Sequence, residues 1–165
     1  MRVLPNMRVI VPADYAAAKA AIRLAAATPG PVYIRLGRAS VPCIYDADCE
    51  LSLGGSKVVR DGSDVSLIAC GIEVDQAMKA ADILAEKGVS AEVIDAYSIK
   101  PLDQEGILAS LSKTGCAVTC EEHSVIGGLG GAVAELLCST TPLPLERVGM
   151  QDTFGTSGEP DELVA

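Results

Sequence analysis

Short apolar runs and amphipathic stretches take turns along this chain. Residues 7–14, MRVIVPAD, open as an apolar run of strand length, and residues 15–28, YAAAKAAIRLAAAT, are rich in alanine, the strongest helix former. Asp14 stands where its side-chain oxygen can cap that helix. PGP at 29–31 breaks the chain, and VYIRLG at 32–37 predicts a second strand. Strand, helix and strand make a βαβ unit, here too small to bury both of its faces, like the tail of a larger domain. Residues 39–56, ASVPCIYDADCELSLGGS, keep no steady period and carry Pro, Asp and Gly, which predicts a linker.

A second series of elements follows. SKVVRDGSDVSLIACG (56–71) predicts a hairpin turning at RDGSD, then a buried strand, VSLIAC. In 74–88, Val74, Ala77, Met78, Ala81, Leu84 and Ala85 fall on one helical face, and Gly88 stops the helix. SAEVIDA (90–96) is a strand, and 103–115 a short helix with Ile107, Leu108 and Leu111 inward, ending at Gly115. CAVTCEE (116–122) is a strand, LGGAVAELLCST (129–140) a helix, and LPLERVGM (143–150) the last strand. The alternation predicts an α/β fold of three layers, a mostly parallel sheet with helices on both faces, preceded by the partial βαβ unit.

Composition narrows the function classes. The chain has 165 residues, 49% hydrophobic and 21% charged, enough for a packed core and too apolar for disorder. Its net charge is −9 and Lys and Arg do not cluster, which argues against tracking nucleic-acid phosphates. Every apolar run is interrupted short of membrane-spanning length, and the first residues lack the pattern of a secretory signal. Cys43, Cys49, Cys70, Cys116, Cys120 and Cys138 form no CxxC pair, and one histidine supplies no His-rich ligand set. The expectation is free thiols in a reducing cytoplasm and no zinc site.

The candidate chemistry lies in CAVTCEEHSVIGGLGGAVAELL (116–137), at the carboxyl end of a strand, where ligands of such sheets usually bind. Gly127, Gly128 and Gly130 precede a helix, whose free N–H groups can hold an anion. Neither the dinucleotide fingerprint nor the P-loop is present, so close helix packing is the competing reading of these glycines. Glu121 and Glu122, as strand neighbours, point to opposite faces, which disfavours paired acid–base work and sends one toward solvent or a partner. His123 titrates in the right range for proton transfer, yet no nucleophile motif stands beside it, which favours a structural, hydrogen-bonding histidine.

VIDAYSIKPLD (93–103), CEEHSVIGGLGGAVAE (120–135) and RVGMQDTFGTSG (147–158), in this order and with these gaps, resemble the carboxyl-terminal part of transketolase-type enzymes. The likeness extends to the separately encoded transketolase carboxyl-terminal subunit, and 9–38 is similar to the end of the family's pyrimidine-binding domain. The resemblance implies 1–40 as the tail of that domain, 41–56 as linker and 57–165 as the C-terminal domain, with the family pattern continuing beyond both ends.

What the resemblance implies about function follows the family. Thiamine diphosphate and Mg²⁺ carry a two-carbon ketol unit between sugar phosphates in the complete enzyme, in the cytoplasm. The diphosphate-and-metal motif G-D-G is absent from this chain, so the fragment is expected to bind no cofactor and to be inactive alone. Implied partners are a second copy or an N-terminal transketolase subunit. The family's phosphate-anchoring arginine corresponds to Arg38 in GPVYIRLGRASVP, with Arg35 as a nearby competitor and a surface ion pair as the plain reading. Glu121, Glu122 and His123 are implied to form an interface or a hydrogen-bonded corner. Two related enzymes share the domain plan: 1-deoxyxylulose-5-phosphate synthase and the β subunit of thiamine-dependent 2-oxoacid dehydrogenases. A non-catalytic interaction or anion-binding module is the alternative from another class.

Overall fold

The structure, a computed structural model, describes residues 1–38 and 40–159. In chain order its elements are β1 (Arg8–Ile10), α1 (Tyr15–Ala27), β2 (Val32–Ile34), β3 (Lys57–Arg60), β4 (Val65–Ala69) and α2 (Glu73–Glu86). β5 (Ala91–Asp95), β6 (Ser98–Lys100), α3 (Gln104–Thr114), β7 (Ala117–Ser124), α4 (Leu129–Ser139) and β8 (Leu145–Met150) follow.

The main sheet has five strands in the order β3-β5-β4-β7-β8. All neighbours run parallel except β3, which is antiparallel to β5. Alternation along the central strands sorts the core into two layers. Ile68, Cys70 and Ile94 face one way and pack with Ile107 and Leu111 of α3 and Leu129 and Val133 of α4. Leu67, Ala69 and Val93 face the other way, onto Val74, Ala77 and Ala81 of α2. β5 is buried at every position, as a strand covered on both faces must be. This is the three-layer α/β architecture that the apolar pattern predicts.

One predicted connection is corrected. β3 and β4 are not a hairpin, because β5 lies between them. The turn signal at RDGSD folds over the start of β5 instead. The N–H groups of Ser63 and Asp64 donate to the Ser90 carbonyl at 3.0 and 2.8 Å, and Asp64 accepts the Ser90 N–H at 2.7 Å. Gly62 lies so close to the backbone of Ala91 and Glu92 that a side chain there has no room. The helical face predicted for α2 also ends early: Val74, Ala77 and Ala81 are buried, whereas Ala85 is exposed.

The opening βαβ unit forms as predicted, with β1 and β2 parallel from Arg8–Val32 to Ile10–Ile34. Its other neighbour is β6, a strand the sequence pattern did not predict, which runs antiparallel to β1. Val9 and Val11 enter the same apolar cluster as Ile68 and Ile94. Asp14 caps α1 by accepting the Ala17 N–H at 2.8 Å. Its second oxygen accepts the N–H groups of Ile44 and Tyr45 at 2.6 and 2.8 Å, which fastens the 41–56 segment to the start of the helix. That segment contains no helix or strand.

Candidate functional site

β7 delivers Glu121, Glu122 and His123 to the turn before α4. Alternation turns Glu121 inward, where it is 1% exposed, and Glu122 to the opposite face. The Glu121 carboxylate accepts the Leu129 N–H at 2.6 Å and the Gly130 N–H at 2.9 Å. These are two of the unpaired donors at the start of α4, and the helix dipole favours a negative charge there. The anion held by the glycine turn is thus a side chain of the protein itself.

The glycines make that contact possible. A Cβ at Gly128 would overlap the Glu121 carboxylate and the His123 ring, and one at Gly130 would lie 2.8 Å from Thr119 Oγ1 and 2.9 Å from Arg147 Cδ. Gly127 adopts φ +76°, a left-handed conformation that favours glycine. His123 donates from Nδ1 to the Ser124 carbonyl at 2.9 Å, and its Nε2 lies 3.3 Å from Glu121 Oε2. Glu121 and His123 thus lie side by side in the corner, each bonded to backbone of the turn, with His123 Nε2 near the carboxylate.

Glu122 reaches across to the opening unit and pairs with Arg35 at 2.9 Å. A second pair spans the same seam: Arg2 forks onto Glu135 at 2.6 Å through both terminal nitrogens and donates from Nε to the Gly127 carbonyl at 3.2 Å. That bond holds Glu135 below the usual carboxylate range. Between the pairs lies a hollow of about 330 Å³, walled by Arg2, Tyr33, Arg35, His123 and Ile126.

Arg38 lies elsewhere. It follows β2 and is exposed, and no hydrogen bond or ion pair joins it to another described residue. The two residues before it, Leu36 and Gly37, wall a separate hollow of about 260 Å³ with Asp14, Tyr15, Val41 and Ile72. The two arginines that compete in the sequence are thus distinguished by their partners: Arg35 is committed to Glu122, and Arg38 has no hydrogen bond or ion pair among the described residues.

Sequence reasoning missed a buried carboxyl. Asp95 ends β5 at 0% exposure, with Oδ2 accepting the Tyr45 hydroxyl at 2.7 Å and Oδ1 left without a partner. Burial pushes Asp95 up to about 7, against the opposing effect of the Tyr45 bond. Burial, reinforced by the charge of Asp95, also raises the Tyr45 phenol. The Lys57 ammonium sits 4.7 Å from the Tyr45 ring centre. The available signal was an acidic residue closing an apolar strand, which requires a buried partner.

Among the described residues, no group of three or more His, Cys, Asp or Glu is placed to hold a metal ion. The amides of Leu129 and Gly130 are committed to Glu121, so this glycine turn does not offer them to a diphosphate. All six cysteines are unpaired, and burial raises the Cys70 and Cys120 thiols, the latter to about 12. No described helix is long and apolar enough to cross a membrane.

Residues 54–165 match the family model described as "Transketolase, C-terminal domain". The chain belongs to the transketolase family, in its C-terminal part. It is 46% identical over 163 residues to the 6-deoxy-6-sulfo-D-fructose transketolase subunit SqwH of Clostridium sp. (strain MSTE9), covering 99% of this chain and 51% of that one. It is 38% identical to 1-deoxy-D-xylulose-5-phosphate synthase 1 of Geobacter sulfurreducens, covering 100% of this chain and 26% of that one. A solved split-gene transketolase, described as an inactive beta4 tetramer, superposes with a TM-score of 0.92 at 49% identity, over 94% of this chain and 52% of that one. The chain spans about half the length of the split-transketolase relatives it matches.

Proposed function

We propose that this chain is the C-terminal portion of a thiamine-diphosphate-dependent transketolase that moves a two-carbon ketol unit between sugar phosphates. In this reading residues 57–165 are a structural, subunit-joining domain, and 1–40 carry the end of the pyrimidine-binding domain. Thiamine diphosphate and Mg²⁺ belong to the rest of the enzyme in this reading, which the commitment of the glycine-turn amides to Glu121 supports. The complete assembly is cytoplasmic and is either a homodimer or a pairing with an N-terminal subunit. The chain alone is inactive.

The observation that carries the reading is the state of Arg38. It is exposed at the exit of β2 and unpaired among the described residues, while Arg35 is held by Glu122. A guanidinium left free in this way offers a planar fork of donors to a terminal phosphate. The name of the Clostridium relative specifies a sugar with a terminal sulfonate, which is also a tetrahedral anion. The corner of Glu121, Glu122 and His123 serves assembly in this reading, since its polar atoms are directed to the protein itself.

The test assembles the full-length C-terminal section with its N-terminal section and measures thiamine-dependent transfer from a ketose phosphate to an aldose phosphate. Activity is expected in the mixture and in neither section alone. Condensation of pyruvate with glyceraldehyde 3-phosphate, without ketol transfer, would replace the reading by 1-deoxyxylulose-5-phosphate synthase, the enzyme named for the Geobacter relative. Stable binding of the sections with no carbon–carbon chemistry would leave only an interaction module.

A further inference from the structure

We infer that Glu122 is a positioning residue for the sugar phosphate: through Arg35 it fixes the exit of β2 so that Arg38 is presented to the substrate. This rests on the assignment of Arg38 as phosphate anchor and adds the residues that aim it.

β2 is three residues long, lies at the edge of the β2-β1-β6 sheet and is only half-buried. Its ladder with β1 ends at Ile34, and the last backbone bond is the Arg35 N–H to the Ile10 carbonyl at 3.0 Å. The described residues make no further hydrogen bond until the N–H groups of Ile44 and Tyr45 reach Asp14. Among the described residues around it, Arg38 therefore has no backbone hydrogen bond to hold its path. A short edge strand followed by such a stretch does not hold a side chain to within the fraction of an ångström that substrate positioning needs.

The ion pair supplies the missing restraint. Arg35 is bonded to Glu122 at 2.9 Å, and both side chains are mostly covered, at 23% and 29% exposure, so the pair is less screened than a surface one. Glu73, at the start of α2, also faces the pair: burial and then the Glu122 charge push its carboxyl up, and Arg35 opposes them. The guanidinium thus pairs with a carboxylate from β7 and acts electrostatically on one from α2. Two residues on, a Cβ at Gly37 would lie 2.8 Å from Ile72 Cγ2, so the backbone passes tightly over the N-cap of α2. Arg35 and Gly37 together set the path on which Arg38 leaves. Glu122 belongs to the C-terminal domain and Arg38 to the opening unit, so the pair couples one to the other.

The experiment uses the complete assembled enzyme and compares a phosphorylated acceptor, glyceraldehyde 3-phosphate, with the unphosphorylated aldehyde, glycolaldehyde. Arg38→Ala is expected to raise KM about 10- to 100-fold for the phosphorylated acceptor only. Arg35→Gln/Glu122→Gln, which removes both charges of the pair and keeps side chains of similar size, is expected to raise the same KM on the order of tenfold. It should leave kcat and the KM for glycolaldehyde unchanged. Added to Arg38→Ala, it should give no further rise, because both changes act on one contact. The swapped pair Arg35→Glu/Glu122→Arg should restore much of the loss. If Arg38→Ala shows no phosphate-selective effect, the anchor assignment falls and this inference with it. If Arg38→Ala shows the effect and the pair variant does not, or the pair variant weakens both acceptors alike, the inference alone falls. Should the double variant fail to assemble, Glu122→Asp must still show a smaller phosphate-selective rise, and its absence overturns the proposal.

Discussion

Replacing Glu121 by alanine tests the central structural claim, that the glycine turn is closed by the chain's own carboxylate. The substitution removes both acceptors at once. The N–H groups of Leu129 and Gly130 lose bonds of 2.6 and 2.9 Å, and both residues are buried. A buried donor left unpaired costs about 1–3 kcal/mol. Loss of a negative charge at a helix start adds about 0.3–2 kcal/mol, the upper end applying to buried geometries. Water entering the vacated space recovers part of this, so about 3 kcal/mol is expected for Glu121→Ala. Glu121→Gln keeps one acceptor oxygen and turns an amide NH₂ toward the other donor, so it should fall between wild type and alanine. Urea unfolding followed by far-UV circular dichroism is the assay. With an m-value of about 2 kcal/mol/M, the alanine midpoint should drop by about 1.5 M at unchanged m. Hydrogen exchange at Leu129 and Gly130 should accelerate in step. A midpoint near that of wild type, or a glutamine variant as damaged as alanine, would refute the argument, because neither agrees with a carboxylate accepting two buried donors.

Gly128→Ala should destabilise by about 1–3 kcal/mol, since its methyl overlaps the Glu121 carboxylate and the His123 ring; the same urea assay reads it, and a neutral result would remove the steric reason for glycine here. Asp95 gives a pH signature. Its carboxyl is raised from 3.8 to about 7 by burial, so between those values the folded state holds a proton that the unfolded state has released. Stability should therefore fall as pH rises from about 4 to about 7 and level off above, on top of the chain's other titrations. Asp95→Asn should flatten that slope, and an unchanged slope would contradict an uncharged Asp95 in the fold. His123→Ala, which removes the bond to the Ser124 carbonyl and the ring nitrogen 3.3 Å from Glu121 Oε2, should weaken association of the complete enzyme's subunits while leaving turnover of the assembled form intact. A collapse of turnover with assembly unaffected would move His123 from architecture into chemistry.

The legible parts of this fold were those decided by local physics. Asp14 as a cap, the helix stops at Gly88 and Gly115 with φ +79° and +74°, and the buried faces of α2 and α3 follow from side-chain and backbone preferences within a few residues. The parts that were not legible depend on which strands lie side by side. The D-G signal at Asp61–Gly62 is a strong local sign of a hairpin, but parallel pairing of β4 with β5 placed β5 in the gap and redirected the turn to Ser90. β6 has three residues and exists because β1 offers it an edge. Of the candidate site, strand alternation separated Glu121 from Glu122 correctly. The partners they find, the amides of α4 and Arg35, lie on other elements and cannot be read from spacing.

Carboxyl groups held by the protein's own donors recur at strand ends, where α/β sheets usually bind ligands. Asp14 follows β1, Asp95 ends β5, and Glu121 and Glu122 lie near the end of β7. Each is committed to this chain: Asp14 to three backbone amides, Asp95 to Tyr45, Glu121 to two amides and Glu122 to Arg35. A ligand arriving at Asp14, Glu121 or Glu122 must displace an existing bond, with no gain to offset the loss unless it supplies a better donor, and Asp95 is 0% exposed. Arg38 meets a ligand at no such cost, because no described residue competes for its donors. If Arg38 is the anchor proposed above, an edge built this way acts as a support for a cation unpaired among the described residues, and the Arg35–Glu122 pair behind it should govern how tightly a phosphate is held.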